Sequence, residues 1–337
     1  MNDTTAAADA SVSEARPAAS TRVGPYLLIL LVAVVAASYY RLRTDTLFGC
    51  QATGYSADDY LSYCQTEGYG DFEHGAIWFD LVPQATHAAS AADLLFIGNS
   101  RMEYGFSTEV SKDWLAKNAP SYFLLGFAYH PRVLFQRAVL RKLQPRAHVY
   151  VINLDTFFQE NASIPAHIVM DEPDARSRYR QKQIWQTLHR AVCGPITFLC
   201  GNSYAIFKNR HTGMWRGTGL ISANEVTSVN DKVDAAEIAG EIESGRKFLD
   251  GLGVDRSCVI FTLVPTVDAP RPGSAQIAAA LNASFIAPDL EDLLTFDGSH
   301  LDRQSAERWS GAFFDAAGAQ IRQCLASGGP APSSAAR

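Results

Sequence analysis

Residues 92–101 read ADLLFIGNSR. Asp93 is followed by four apolar residues and then by Gly98, Asn99, Ser100 and Arg101. An unbroken apolar run closed by Gly-polar-Ser is the pattern of a buried strand ending in a tight turn. The carboxyl end of such a strand is where ligands bind in open α/β sheets. A second stretch, FDGSHL at residues 296–301, places Asp297 and His300 three residues apart. The expectation that organises the rest is that these two stretches meet in space.

Working outward, the pattern repeats. Ser107–Lys117 has helical spacing, Ser121–Gly126 (SYFLLG) reads as a second strand, and Val133–Leu143 as a second helix. His148–Leu154 (HVYVINL) is a third strand, rich in β-branched residues. Strands alternating with helices predict a parallel sheet with crossover helices, an α/β fold. The rhythm resumes with a helix over Asp234–Leu252, a strand over Ser257–Val264, a helix over Ser274–Leu281 and a strand over Ala283–Ala287. The Asp297–His300 loop and a last amphipathic helix, Asp302–Leu325, complete the predicted domain, residues 88–326. Residues 155–233 break the rhythm, with helical turns expected only around Ser177–Ala191 and a Gly-rich stretch from His211 to Gly219. So long a stretch without a period predicts an inserted lid or subdomain.

The chain has 337 residues, 47% hydrophobic and 19% charged, with a net charge of -6. That supports a large core and offers no basic field, so a nucleic-acid partner is not expected. Residues 1–24 are rich in Ala, Ser and Thr and predict a disordered tail, as do residues 327–337. Pro25–Tyr40 (PYLLILLVAVVAASYY) is uncharged and apolar, short but sufficient for a bilayer span. Two membrane readings compete. One is a signal anchor over residues 25–40 with a cytoplasmic tail; the other is a signal peptide cleaved near Ala36-Ala37-Ser38. The long, weakly basic leading tail favours the anchor. Residues 41–87 read as an aromatic-rich connecting segment.

Six cysteines contain no CxxC pair, so no metal is expected. Cys50 with Cys64 and Cys193 with Cys200 are local pairings, leaving Cys258 and Cys324 as a third. Cysteine spacing alone is equally compatible with six thiols. The apolar segment, which would export the domain to an oxidising compartment, favours disulfides.

Ser100, Gly126, Asn153, Asp297 and His300 all fall at the carboxyl ends of predicted strands or just beyond them, on one sheet edge. A serine nucleophile needs a base, and the base needs an orienting carboxylate. Ser100, His300 and Asp297 supply that set. Backbone N–H groups of Ser100 and Gly126, with the Asn153 amide, are candidates for an oxyanion hole. Arg101, His130 and Trp215, with His211 and Arg216, are candidates to touch substrate, against a plainer structural reading of each.

This arrangement resembles the SGNH (GDSL-like) hydrolase superfamily. Gly98-Asn99-Ser100 looks like its first block, Gly126 its second, Asn153 its third, and Asp297-Gly-Ser-His300 its last. The resemblance spans residues 88–325 in order. It implies a three-layer α/β/α sandwich around a flavodoxin-like five-stranded parallel sheet, with the residue roles just given and no cofactor. Asn99 stands where the family carries Asp. Ile152-Asn-Leu-Asp155 stands for its usual Gly-x-Asn-Asp, with Asp155 able to take the neighbouring role. With the anchor, the chain is similar to members that add or remove acyl groups on bacterial cell-surface polysaccharides. That implies a single-pass inner-membrane protein with a periplasmic domain, acting on an acylated glycan or small ester. A transferase would need a membrane partner to deliver acyl groups. The alternative expectation is an inactive glycan-binding or scaffold protein.

Overall fold

The computed structural model describes residues 23–218 and 224–327. The two expected tails therefore lie almost wholly outside the described residues, as does Gly219 of the Gly-rich stretch. Val23 and Gly24 belong instead to a 23-residue helix, Val23–Asp45, longer than the expected span. It is long and apolar enough to cross a membrane. At 1.5 Å per residue it is about 35 Å long.

From Leu42 onward the chain forms a second unit. Its strands are β1 (Asp59–Cys64), β2 (Gly70–Asp71), β3 (Leu94–Asn99), β4 (Tyr122–Phe127), β5 (Val149–Asn153), β6 (Ala205–Asn209), β7 (Trp215–Thr218), β8 (Glu225–Val226), β9 (Val259–Thr262), β10 (Ser284–Phe285) and β11 (Leu294–Thr295). A five-stranded parallel sheet runs β10-β9-β5-β3-β4. β3 lies inside the sheet, between β5 and β4, and every one of its residues is buried. Alternate residues serve opposite faces. Leu95, Ile97, Phe123 and Ile152 pack on helices Val133–Leu143 and Ala235–Asp250, while Leu94, Phe96 and Val151 pack on Trp309 and Phe313 of helix Arg303–Ser327. A strand covered on both faces needs apolar residues at every position, which is why the run shows no alternation. Each such side chain contributes roughly 1.5–3 kcal/mol on burial.

Residues 41–87 and 155–233 were expected to be a connector and a lid. They combine instead: β1 and β2 from the first pair with β6 and β7 from the second in a sheet ordered β2-β1-β6-β7. Helix Ala175–Cys193 packs against it. The helical turns expected around Ser177–Ala191 lie within this helix, and its buried face mixes Ala175, Tyr179 and Cys193 with the polar Gln186 and His189. Gln186 Nε2 donates to Leu61 O at 2.7 Å and Lys182 Nζ to Asp71 O at 2.7 Å. The His189 ring joins Cys50 O and Tyr55 Oη, at 3.2 and 3.0 Å. The three cysteine pairs are all disulfides.

Candidate active site

β3 ends at Asn99, and the chain turns at once into the helix Ser100–Phe106. The turn is tight because Gly98 lacks a side chain; a Cβ there would meet Met102 Cβ at 2.9 Å and Asn153 Cβ at 3.0 Å. Asn99 caps the helix, its Oδ1 accepting the Arg101 N–H at 3.1 Å. Ser100 is thereby held at the carboxyl edge of the sheet, on the strand where the strand order reverses.

The Asp297 loop is fixed by its own hydrogen bonds. Phe296 N donates to His300 O at 3.0 Å and Gly298 N to Thr295 Oγ1 at 3.1 Å, with Gly298 at φ 75°. Short strands β8 and β11 pair beneath it. The loop brings His300 Nε2 to 2.8 Å from Ser100 Oγ, across 200 residues of chain. His300 Nδ1 lies 2.7 Å from Asp297 Oδ2, while Asp297 Oδ1 accepts the N–H groups of Ser299 and His300 at 3.0 and 2.8 Å. Burial works against the Asp297 charge, but these hydrogen bonds and the His300 charge outweigh it and hold the carboxyl below its ordinary value. With the Nδ1 proton directed at Asp297, Nε2 is left to accept the Ser100 O–H. Phe296 stacks on the His300 ring at 5.5 Å, and Tyr104 lies 4.8 Å away.

Arg101 joins the two halves of the site. Its Nε donates to Ser299 Oγ at 3.0 Å and its guanidinium pairs with Asp155 at 2.6 Å. Its place is thus a brace beside the pocket, the pairing reading rather than the substrate one. Asn99 Nδ2 donates to Asp155 Oδ2 at 2.6 Å, so Asn99 and Asp155 are complementary partners.

The expected oxyanion donors come out differently. Gly126 lies inside β4, paired with Gly98, and its N–H donates to Glu103 Oε1 at 2.8 Å. Its want of a side chain serves Glu103, whose Cγ would sit 2.4 Å from a Cβ. Asn153 is 1% exposed; its Nδ2 donates to Asn99 Oδ1 at 3.3 Å and its Oδ1 accepts the Val264 N–H at 3.0 Å. Both groups are engaged elsewhere, because β4 and β5 carry their ends into buried networks. Ser100 alone of the three lines the pocket.

That pocket is a cavity of about 510 Å³ beside Ser100 and His300. His130 and Trp215 line it. Burial holds the His130 imidazole below its ordinary value; Asp155 opposes this, and the charges of Arg101, Arg132 and His300 add to it. The indole N–H of Trp215 is buried and has no partner among the described residues. Sequence reasoning missed Tyr63, Tyr104, Tyr129, Tyr204 and Phe296 on the same wall. Tyr104 follows Ser100 by one helical turn, a spacing that could have found it; Tyr63 and Tyr204 come from the second sheet and had no local signal. His211 and Arg216 pair with Asp58 and Asp59, away from this pocket.

Among the described residues, two clusters have metal-ligand composition. In one, Cys193 and Cys200 are spent on a disulfide. In the other, Asp71 pairs with His74 Nδ1 at 2.9 Å and Glu73 has the Lys208 ammonium at 3.6 Å. Neither donor set calls for an ion.

No family model matches this chain, and no curated protein and no solved structure does so either.

Proposed function

We propose that the chain is a serine esterase or O-acyltransferase of SGNH type, built as a flavodoxin-like three-layer sandwich. The observation that carries this reading is the hydrogen-bonded series Ser100 Oγ, His300 Nε2, His300 Nδ1, Asp297 Oδ2, at 2.8 and 2.7 Å. Ser100 attacks an acyl carbonyl as its proton passes to His300 Nε2, and Asp297 stabilises the imidazolium. When the tetrahedral intermediate collapses, His300 returns that proton to the departing alkoxide, leaving an acyl-serine. Water or a sugar hydroxyl, deprotonated by His300, then releases the acyl group.

The substrate in this reading is an acylated glycan. The aromatic pocket suits sugar rings. A second cavity of about 520 Å³ shares Tyr104, Tyr204, Trp215 and Phe296 with it, giving room for an acceptor beyond the acyl site. The apolar helix Val23–Asp45 supports placement at a bacterial inner membrane with the domain in the periplasm, where disulfides persist.

A fluorophosphonate probe tests the assignment. It should label the wild-type chain and not Ser100→Ala, and hydrolysis of p-nitrophenyl acetate should be lost in the same variant. Labelling that survives in Ser100→Ala removes the nucleophile assignment. A wild type that neither labels nor turns over acetyl esters favours the glycan-binding scaffold instead.

A further inference from the structure

Beneath the pocket sit three charged residues with no solvent exposure. Lys208 on β6 places Nζ 2.8 Å from Glu103 Oε1 and 3.6 Å from Glu73 Oε2. Both carboxylates and the ammonium also hold backbone at the end of β4. Glu103 Oε1 accepts the Gly126 N–H at 2.8 Å, Lys208 Nζ donates to Gly126 O at 2.7 Å, and Glu73 Oε1 accepts the Ala128 N–H at 2.6 Å. The next two residues, Tyr129 and His130, are both left-handed, at φ 58° and 51°. For residues with side chains such a conformation is costly and persists only where its surroundings enforce it. Ala128, Tyr129 and His130 line the pocket beside Ser100. The peptide N–H groups of Tyr129 and His130 have no partner among the described residues.

Burying three ionisable groups is a poor route to stability, since burial pushes both carboxyls up to about 7 and well-packed apolar residues serve as well or better. A return in position accounts for them. We propose that Glu73, Glu103 and Lys208 are positioning residues that clamp the end of β4 and so enforce the left-handed Tyr129–His130 turn as a wall of the Ser100 pocket. The clamp draws one charge from each of three stretches: the segment before the domain, the helix after Ser100, and the second sheet. It makes the residues outside the α/β core part of the active site. The inference rests on Ser100 being the nucleophile, and its test separates the two.

The test compares full-length Glu73→Leu, which loses the acceptor for Ala128, with Glu73→Gln, which keeps an oxygen there. Glu73→Leu should slow fluorophosphonate labelling of Ser100 by about 10- to 100-fold, the scale of a small misplacement at a reacting centre. Glu73→Gln should stay within about threefold of wild type, since a neutral acceptor retains most of one hydrogen bond. Equal rates in the two variants overturn the clamp. If Glu73→Leu does not fold, Glu73→Met/Lys208→Met, which removes opposite charges together, takes its place with the same expectation. Hydrogen exchange of residues 126–130 reads the clamp without activity. Loss of the Glu73 acceptor should speed exchange at Ala128 by about tenfold while β5 is unchanged. Unchanged exchange there overturns the proposal. A wild type that does not label, with exchange still faster in the variant, sinks the catalytic reading and leaves the clamp.

Discussion

Asn99→Asp restores the residue usual in the family that the first block resembles, and the structure predicts that it harms this protein. Asn99 and Asp155 are each 3% exposed, and the Asn99 amide meets the Asp155 carboxylate at 2.6 Å. Two ionised carboxylates at that separation would repel by roughly 6 kcal/mol at an effective dielectric of about 20. Binding one shared proton is the less costly outcome. Keeping a carboxyl protonated at pH 7, about three units above its ordinary value near 3.9, costs about 4 kcal/mol. Arg101, 2.6 Å from the other Asp155 oxygen, offsets part of this. The variant should therefore lose about 2–4 kcal/mol of stability at neutral pH. The folded-state pKa of the pair is raised, so the penalty is absent below pH 4 and grows as pH rises. Helix capping is not the cause, because Asp caps as well as Asn. Denaturant unfolding of the full-length protein in detergent at pH 4.5 and 7.5 measures this. Asn99→Asp/Asp155→Asn, which exchanges the two groups, should recover most of the loss at pH 7.5. A variant as stable as wild type at pH 7.5, or one with higher esterase activity, refutes the reasoning.

Asp297→Asn should lower kcat on a small ester by about 10²–10⁴-fold with little change in KM, because the amide favours the wrong His300 tautomer. Asp297 has a depressed folded-state pKa, so its own contribution to stability is present above about pH 4 and lost as pH falls; the Asn variant should lack that acid-dependent component in unfolding curves. Replacing Cys258 and Cys324 by Ser opens a cross-link spanning 66 residues and should cost about 4 kcal/mol on the chain-entropy scale, read from the denaturation midpoint. Gly126→Ala forces a Cβ to 2.4 Å from Glu103 Cγ and should destabilise by about 1–3 kcal/mol, measured by thermal melting.

The parallel sheet was legible because its strands are buried on both faces and leave uninterrupted apolar runs. The strands expected at Ser121–Gly126 and His148–Leu154 begin and end within one residue of β4 and β5. Ser100, His300 and Asp297 were legible because turn chemistry marks strand ends, and strand ends of a parallel sheet share an edge. The second sheet was not legible. It is built around β1 and β6, about 140 residues apart, and no local pattern in the chain reports a pairing over that distance.

By itself, the sequence determined which local segments form strands, where they stop, and which reactive side chains stand at those stops. Those properties depend on neighbours in the chain, which periodicity and turn residues report. Tertiary structure decided what each of those groups is bonded to. Gly126 was expected to face an oxyanion and is held by Glu103; Asn153 was expected beside it and is held by Asn99 and Val264. Asn99, a departure from the family pattern in sequence, is the partner that Asp155 requires. Hydrogen-bond partners 23 to 200 residues apart are chosen by packing, and packing has no period to read.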